Sequence, residues 1–289
     1  MDAAQPSPPV EIVGIAGGRH IAYAEYGDPD GRPVVFLHGT PGSRRLGRLF
    51  DPAARRTGVR IVALDRPGYG RSSPWPTRDL TDTGEFVAPV LDDAGVSRAG
   101  VVGFSGGGPH ALALAATHAD RLTSVDVVSG AAPPSLTPEA PRTQRLLDRL
   151  ASTTPRLLTG LFRGQAWLAT HVSPAVVVSQ YTDDRASLDD DVARLVARDF
   201  ATAFARSSHG VVTELRLLAD RWPFSLGAVD RPVRLWHGAR DANVPVDGAR
   251  TLHDHLPDAR CTVFESADHL TALCRSRAPV LGRHAGPSP

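Results

Sequence analysis

The segment Gly103-Phe104-Ser105-Gly106-Gly107 ends an apolar run that starts at Ala99. It reads as a strand, a sharp turn carrying a serine, and a helix opening near Gly108. Such a turn holds the serine in a strained backbone conformation and lifts its hydroxyl clear of the sheet. Strand and helix nearly touch there, so the positions two residues to either side must be very small, as Gly103 and Gly107 are. The chemistry open to a serine so held is nucleophilic attack on an acyl carbonyl. Its hydroxyl is a weak nucleophile at neutral pH and needs a base. The base in turn needs an acid that fixes its tautomer and stabilises the imidazolium.

Both partners follow in the order Ser, Asp, His. Val233 to Val244 reads as a strand and a loop, with Asp241 just beyond the strand's carboxyl end. Catalytic groups gather at that end of open parallel sheets, although an aspartate there can also cap a turn. Asp247 is the rival; it reads as the N-cap of a helix through Leu252. Asp126 falls inside a strand. The base is His269, the one late histidine immediately past a buried strand, among 11 histidines in all. Two backbone donors would hold the oxyanion: the N–H of Gly106, at a helix start, and the N–H of Thr40 in the bend His38-Gly39-Thr40-Pro41-Gly42. The His38 side chain is read as a strut between neighbouring loops. His253 and His255 are two apart on a helix and face different ways, so no metal pair is expected. Cys261 and Cys274 fit no zinc spacing and read as free thiols. No metal or cofactor is expected.

The elements needed to hold these groups are legible as an alternation. Glu11 to Ile15 and Arg19 to Tyr26 read as strands joined at Gly17-Gly18. Buried strands follow at Val34–Leu37, Arg60–Leu64, Ala99–Phe104, Leu122–Ser129, Val233–His237 and Cys261–Glu265. Helical patterns occupy Leu46–Thr57, Leu80–Gly95, Pro109–His118 and Asp247–His255. Strands alternating with helices predict an α/β fold, a mostly parallel sheet with helices on both faces. The opening hairpin adds antiparallel strands at one edge. The rhythm breaks from Ala132 to Ser208, where helical stretches dominate and Val176-Val177-Val178 is a short β-branched exception. This is read as an inserted helical cap over 132–208, between core segments 1–131 and 209–289. Phe162, Trp167 and Tyr181 are its candidate substrate-binding residues; most apolar side chains of the cap are expected to pack its own small core. The tail from about Gly282 is expected to be disordered.

The chain has 289 residues, 42% of them hydrophobic, and a formal net charge of +1. Nothing in that balance favours nucleic acid or an anionic membrane as a partner. All 32 basic residues are arginine, which we read as codon bias. Arg44, Arg45 and Arg48 form the one basic cluster, either a solvated helix face or an attractor for an acidic substrate group. Without a signal sequence or membrane span, the expectation is a cytoplasmic monomer or homodimer acting on a small molecule.

Together these segments resemble the α/β-hydrolase fold superfamily, over about Glu11 to Leu281. His38 to Gly42 looks like its oxyanion loop, Asp65-Arg66-Pro67-Gly68-Tyr69-Gly70-Arg71-Ser72 like its loop after strand four, and Gly103 to Gly107 like its elbow. Asp241 and His269 match its acid and base positions. The resemblance implies an eight-stranded sheet with a lid between strands six and seven. The nearest likeness is to cofactor-free esterase-like and proline iminopeptidase-like members. Ser105 argues against members with a carboxylate nucleophile. The implied activity is hydrolysis of an ester, lactone, thioester or amide. C–C bond hydrolysis, acyl transfer and ligand sensing without turnover stay open as alternatives. Two departures are expected to matter locally: Pro89 kinking its helix and Pro279 shortening the last one relative to many members of the family.

Overall fold

The computed structural model describes residues 8–136, 160, 164 and 171–285. Eight strands form one sheet in the order β1-β2-β4-β3-β5-β6-β7-β8. They are β1 (Glu11–Ile15), β2 (Arg19–Gly27), β3 (Arg32–Leu37), β4 (Val59–Leu64), β5 (Ala99–Phe104), β6 (Leu122–Val128), β7 (Val233–Gly238) and β8 (Ala259–Phe264). β2 pairs antiparallel with both β1 and β4, and every other pairing is parallel. The antiparallel edge is therefore the opening hairpin, as its glycine turn predicts.

The described helices are α1 (Asp51–Thr57), α2 (Thr83–Asp93), α3 (Gly107–Thr117), α4 (Pro174–Val178), α5 (Asp190–Ala203), α6 (His209–Ala219), α7 (Val246–His255) and α8 (His269–His284). They cover both faces of the sheet. Along β3, Val35 and Leu37 join a core with Phe86, Leu112 and Leu252, while Val34 and Phe36 join a second core with Phe50, Leu273 and Val280. A strand whose alternate residues both meet helices must be apolar throughout, which is why the central strands read as unbroken apolar runs. Each fully buried side chain of this size contributes about 2 kcal/mol.

Several expectations are corrected. Val176 to Val178 lie in α4, where Pro174 at the start of the helix offsets the strand preference of the valines. Leu46 falls in a 3-10 turn, Arg44–Phe50, and the α-helix begins only at Asp51. Asp247 sits in the first turn of α7, whose N-cap is Pro245. Pro279 lies inside the last helix, and α8 runs through it to His284. A proline inside a helix removes one hydrogen bond at a cost of about 3 kcal/mol. Here Val280 and Leu281 are fully buried, and buried Asp126 clasps the helix end. Its carboxylate accepts from Arg283 Nη1 (2.8 Å), His284 Nε2 (2.9 Å) and Trp236 Nε1 (2.8 Å). The same clasp keeps Gly282 to His284 helical. Among the described residues, no helix is long and apolar enough to cross a membrane.

Candidate active site

Ser105 has φ +52°, the left-handed region that a side chain rarely adopts. Two hydrogen bonds lock it there: its N–H donates to Val128 O (2.9 Å), and its carbonyl accepts from Gly108 N (2.9 Å). The flanking glycines are required by contact. A Cβ on Gly103 would stand 2.5 Å from Gly107 O, and one on Gly107 would stand 2.2 Å from Leu37 O. The turn thus works only if β5 and α3 press against each other and against the end of β3.

Asp241 lies three residues past β7, and its backbone N–H donates to Gly238 O at 3.3 Å. Its Oδ1 accepts from the N–H groups of Asn243 (3.0 Å) and Val244 (2.9 Å). Its Oδ2 accepts from His269 Nδ1 at 2.7 Å. Burial pushes this carboxyl upward, but His269 beside it and the bonds it accepts outweigh burial and hold it below the usual carboxylate range. Asp241 is therefore ionised at neutral pH. Its bond fixes the imidazole with Nδ1 protonated and leaves Nε2 as the basic nitrogen.

His269 opens α8, and Asp268 caps that helix: Asp268 Oδ1 accepts from Thr271 N (3.1 Å), while Thr271 Oγ1 accepts from Asp268 N (2.8 Å). This reciprocal cap sets where the helix starts and so where the imidazole stands. Asp268 Oδ2 also accepts from Thr182 Oγ1 (2.5 Å) and Asp183 N (3.0 Å), tying the start of α8 to the segment between β6 and β7. The His269 ring lies against Phe104, with centroids 4.9 Å apart.

Ser105, His269, Gly39 and Thr40 line one cavity of about 20 Å³, room for roughly one water molecule. Its apolar wall includes Leu46, Phe104, Tyr181, Val196 and Leu270. A Cβ built on Gly106 would stand 2.3 Å from Thr40 Oγ1 and 3.5 Å from Thr40 N, so the two expected oxyanion donors are neighbours. Among the described residues neither of those N–H groups has an acceptor. Of the three aromatic residues expected at the substrate, Tyr181 is on the cavity wall; Phe162 and Trp167 lie outside the described residues.

The strut reading of His38 agrees with its bonds. Its Nδ1 donates to Gly39 O (2.7 Å), and its Nε2 accepts from Arg66 N (3.1 Å). Burial, with Arg66 nearby, keeps the ring well below its usual proton affinity, as a nitrogen that accepts an N–H requires. Arg44 is not part of a solvated face. It is buried and paired with Asp65: Nη1 to Oδ2 at 2.6 Å and its backbone N to Oδ1 at 2.8 Å.

Three functional-looking groups escaped the sequence reading. Asp199 of α5 reaches the cavity wall, and its Oδ1 accepts from Ser43 N (2.9 Å), Ser43 Oγ (2.6 Å) and Leu46 N (3.1 Å). Burial, which outweighs those bonds, pushes its carboxyl up to about 7. Arg66 and Glu214 form a fully buried ion pair behind the Gly39–Thr40 turn. No local pattern marks Asp199 or Glu214, whose partners here lie more than 100 positions away; Arg66 lies in the Asp65-to-Ser72 segment, but nothing local points to Glu214 as its partner. Among the described residues, no group of three or more His, Cys, Asp or Glu is placed to share a metal ion.

A sequence model described as the alpha/beta hydrolase fold matches residues 32–273. The dihydrolipoyllysine-residue acetyltransferase component of the acetoin cleaving system of Pseudomonas putida is 27% identical over 266 residues, 89% of this chain and 64% of that protein. A probable proline iminopeptidase of Streptomyces coelicolor is 37% identical over 132 residues, 42% of this chain and 39% of that protein. The chain thus spans less than two thirds of the length of each of these relatives. Among solved structures, a thermophilic esterase from Thermogutta terrifontis superposes with a TM-score of 0.71 at 19% identity, covering 96% of this chain and 100% of that one. That likeness speaks to the fold alone.

Proposed function

The chain belongs to the alpha/beta hydrolase fold family, and from that premise we propose that it is a serine hydrolase cleaving an ester, lactone, thioester or amide of a small to medium, mainly apolar substrate. Ser105 attacks the acyl carbonyl while His269 Nε2 takes its proton. Asp241 holds the imidazole and stabilises its cation. The Thr40 and Gly106 N–H groups receive the oxyanion, and His269 then returns the proton to the leaving group. Water enters, gives up a proton to His269, and resolves the acyl-enzyme. The observation that carries this reading is the joint geometry of a left-handed Ser105 and a His269 bonded to ionised Asp241 on one cavity.

Residues 132–208 serve as the cap, with 1–131 and 209–289 as the core. Val196 and Asp199 on the cavity wall and the Thr182–Asp268 bond support that division. The apolar wall formed by Leu46, Phe104, Val196 and Leu270 favours an apolar acyl or leaving group. The substrate is a small molecule, and the chain works in the cytoplasm as a monomer or homodimer.

A fluorophosphonate probe is expected to label the native protein at one site and to leave Ser105→Ala unlabelled. Equal labelling of both would overturn the assignment of the nucleophile. Acyl transfer to an acceptor other than water is the second reading, favoured by the likeness to the Pseudomonas putida acetyltransferase component. Turnover with competing alcohols separates the two, because transfer yields a new ester and hydrolysis only the acid.

A further inference from the structure

The peptide unit between Gly39 and Thr40 carries the first oxyanion donor on one end and a carbonyl on the other. A trans peptide points these two groups in opposite directions. The carbonyl end is gripped from inside the protein. Gly39 O accepts from His38 Nδ1 (2.7 Å) and from Arg66 Nη2 (3.0 Å), and the same Nη2 lies 3.0 Å from Thr40 Oγ1. With its carbonyl held by these donors, the Thr40 N–H is turned the other way, toward the cavity that Ser105 lines.

Arg66 is itself anchored. Its Nη1 is bonded to Glu214 of α6, which also binds Arg78 Nη2, and His110 Nε2 stands 3.2 Å from each Glu214 oxygen. Arg66, Arg78 and Glu214 are all fully buried. Burial pushes the His110 ring down to about 4, so it is neutral at pH 7. Two guanidinium cations face one carboxylate, which leaves the fully buried cluster one positive charge in excess. Structural ion pairing alone needs only Arg78 opposite Glu214. The second arginine adds charge at the back of the oxyanion loop, where a hydrogen bond to the carbonyl polarises the peptide and strengthens the N–H at its far end.

We propose that Arg66, braced by Glu214, is a positioning residue that aims and polarises the Thr40 N–H toward the developing oxyanion. The inference rests on Ser105 being the nucleophile. It predicts an effect on the transition state with little effect on substrate binding.

The test compares native protein, Arg66→Met and Arg66→Lys. Arg66→Met leaves the neutral Glu214–Arg78 pair in place and removes the bonds from Arg66 to Gly39 O, Thr40 Oγ1 and Glu214. Each protein is measured for kcat and KM on an activated aryl ester, for inhibition by an arylboronic acid, and for melting temperature. The boronic acid forms a tetrahedral adduct on the serine and so reports on the oxyanion donors. The expected result for Arg66→Met is a kcat about 100-fold lower, the loss typical of one missing oxyanion donor. Boronate affinity falls in parallel and KM changes by less than about 3-fold. Arg66→Lys, which keeps a cation near Gly39 O, recovers part of the loss; it also serves as the test should the methionine variant fail to fold. If both variants fold and match the native protein in kcat and boronate affinity, the inference is overturned and the nucleophile assignment stands. A loss expressed in KM and melting temperature, with boronate affinity unchanged relative to substrate, reduces Arg66 to a structural residue. If the native protein itself binds neither boronate nor fluorophosphonate, the nucleophile reading fails and takes this inference with it.

Discussion

Asp199→Asn is expected to abolish a specific pH dependence of stability. In the native protein Asp199 Oδ1 accepts three hydrogen bonds from Ser43 and Leu46, while Oδ2 has no donor among the described residues. A proton on Oδ2 therefore costs none of those bonds and removes a buried charge. Burial raises the carboxyl from 3.8 to about 7. The folded state then binds a proton that the unfolded chain releases, so this group's stabilisation is complete below about pH 4 and is lost as the pH rises through 7. At about 1.4 kcal/mol for each tenfold change in proton affinity, the whole effect is on the order of 4 kcal/mol. Roughly 3 kcal/mol of it falls between pH 8 and pH 5 by the same relation. Asparagine keeps the acceptor oxygen and carries no charge at any pH. Urea unfolding of both proteins at pH 5, 6, 7 and 8 isolates the term, because every other titrating group cancels in the difference. The variant should exceed the native protein in stability at pH 8 by about 3 kcal/mol more than it does at pH 5. A difference that is the same at both pH values would refute the placement of Asp199 as a desolvated carboxyl joining α5 to the core.

Gly106→Ala puts a Cβ 2.3 Å from Thr40 Oγ1; kcat is expected to fall on the order of 100-fold, with partial recovery in the double variant carrying Thr40→Gly. Steady-state kinetics of the pair of variants checks this. Asp241→Asn keeps the shape of the loop but loses the charge that fixes the His269 tautomer; kcat should drop on the order of ten-thousand-fold, and fluorophosphonate labelling should slow with it. Asp126→Ala leaves Trp236, Arg283 and His284 without their buried acceptor; denaturant unfolding should show a loss of about 3 kcal/mol or more. Gly70→Ala would force a left-handed alanine (φ +51°) and a Cβ 2.1 Å from Asp65 Oδ2. Its melting temperature should fall, and the Arg44–Asp65 pair should loosen with it.

What could be read from the sequence follows from how local each determinant is. The elbow is written in five consecutive residues because strand, turn and helix meet there, and the steric demand falls on Gly103 and Gly107 themselves. Asp241 is legible because it follows β7, a buried strand visible as an apolar run. The strand before His269 departs from expectation: β8 reads as buried in the sequence, but it is the half-exposed edge of the sheet, so His269 follows a strand without following a buried one. The helix ends were less legible. Pro279 looked like a stop because the local cost of proline is evident in sequence, whereas the clasp by Asp126 that outweighs it comes from β6, more than 150 positions earlier. Asp199, Glu214 and the pairing of Arg66 with Glu214 are illegible for the same reason. Each is an ordinary charged residue until the fold buries it against a partner from another element. The Arg44–Asp65 pair shows the converse error: a run of arginines looks like a wet surface until the neighbouring strand end supplies a buried carboxylate.

The bond between Arg66 and Glu214 joins positions 148 apart, whereas Asp241 and His269 are separated by only 28. Closing a longer loop costs more chain entropy, and contacts between distant positions form slowly. The base and its acid can therefore find each other while the back of the oxyanion loop still waits for α6 to arrive. Competence to stabilise the tetrahedral intermediate becomes a property of the fully closed chain. When the denatured protein refolds, far-ultraviolet dichroism should recover first and turnover later, with the lag marking the moment α6 docks.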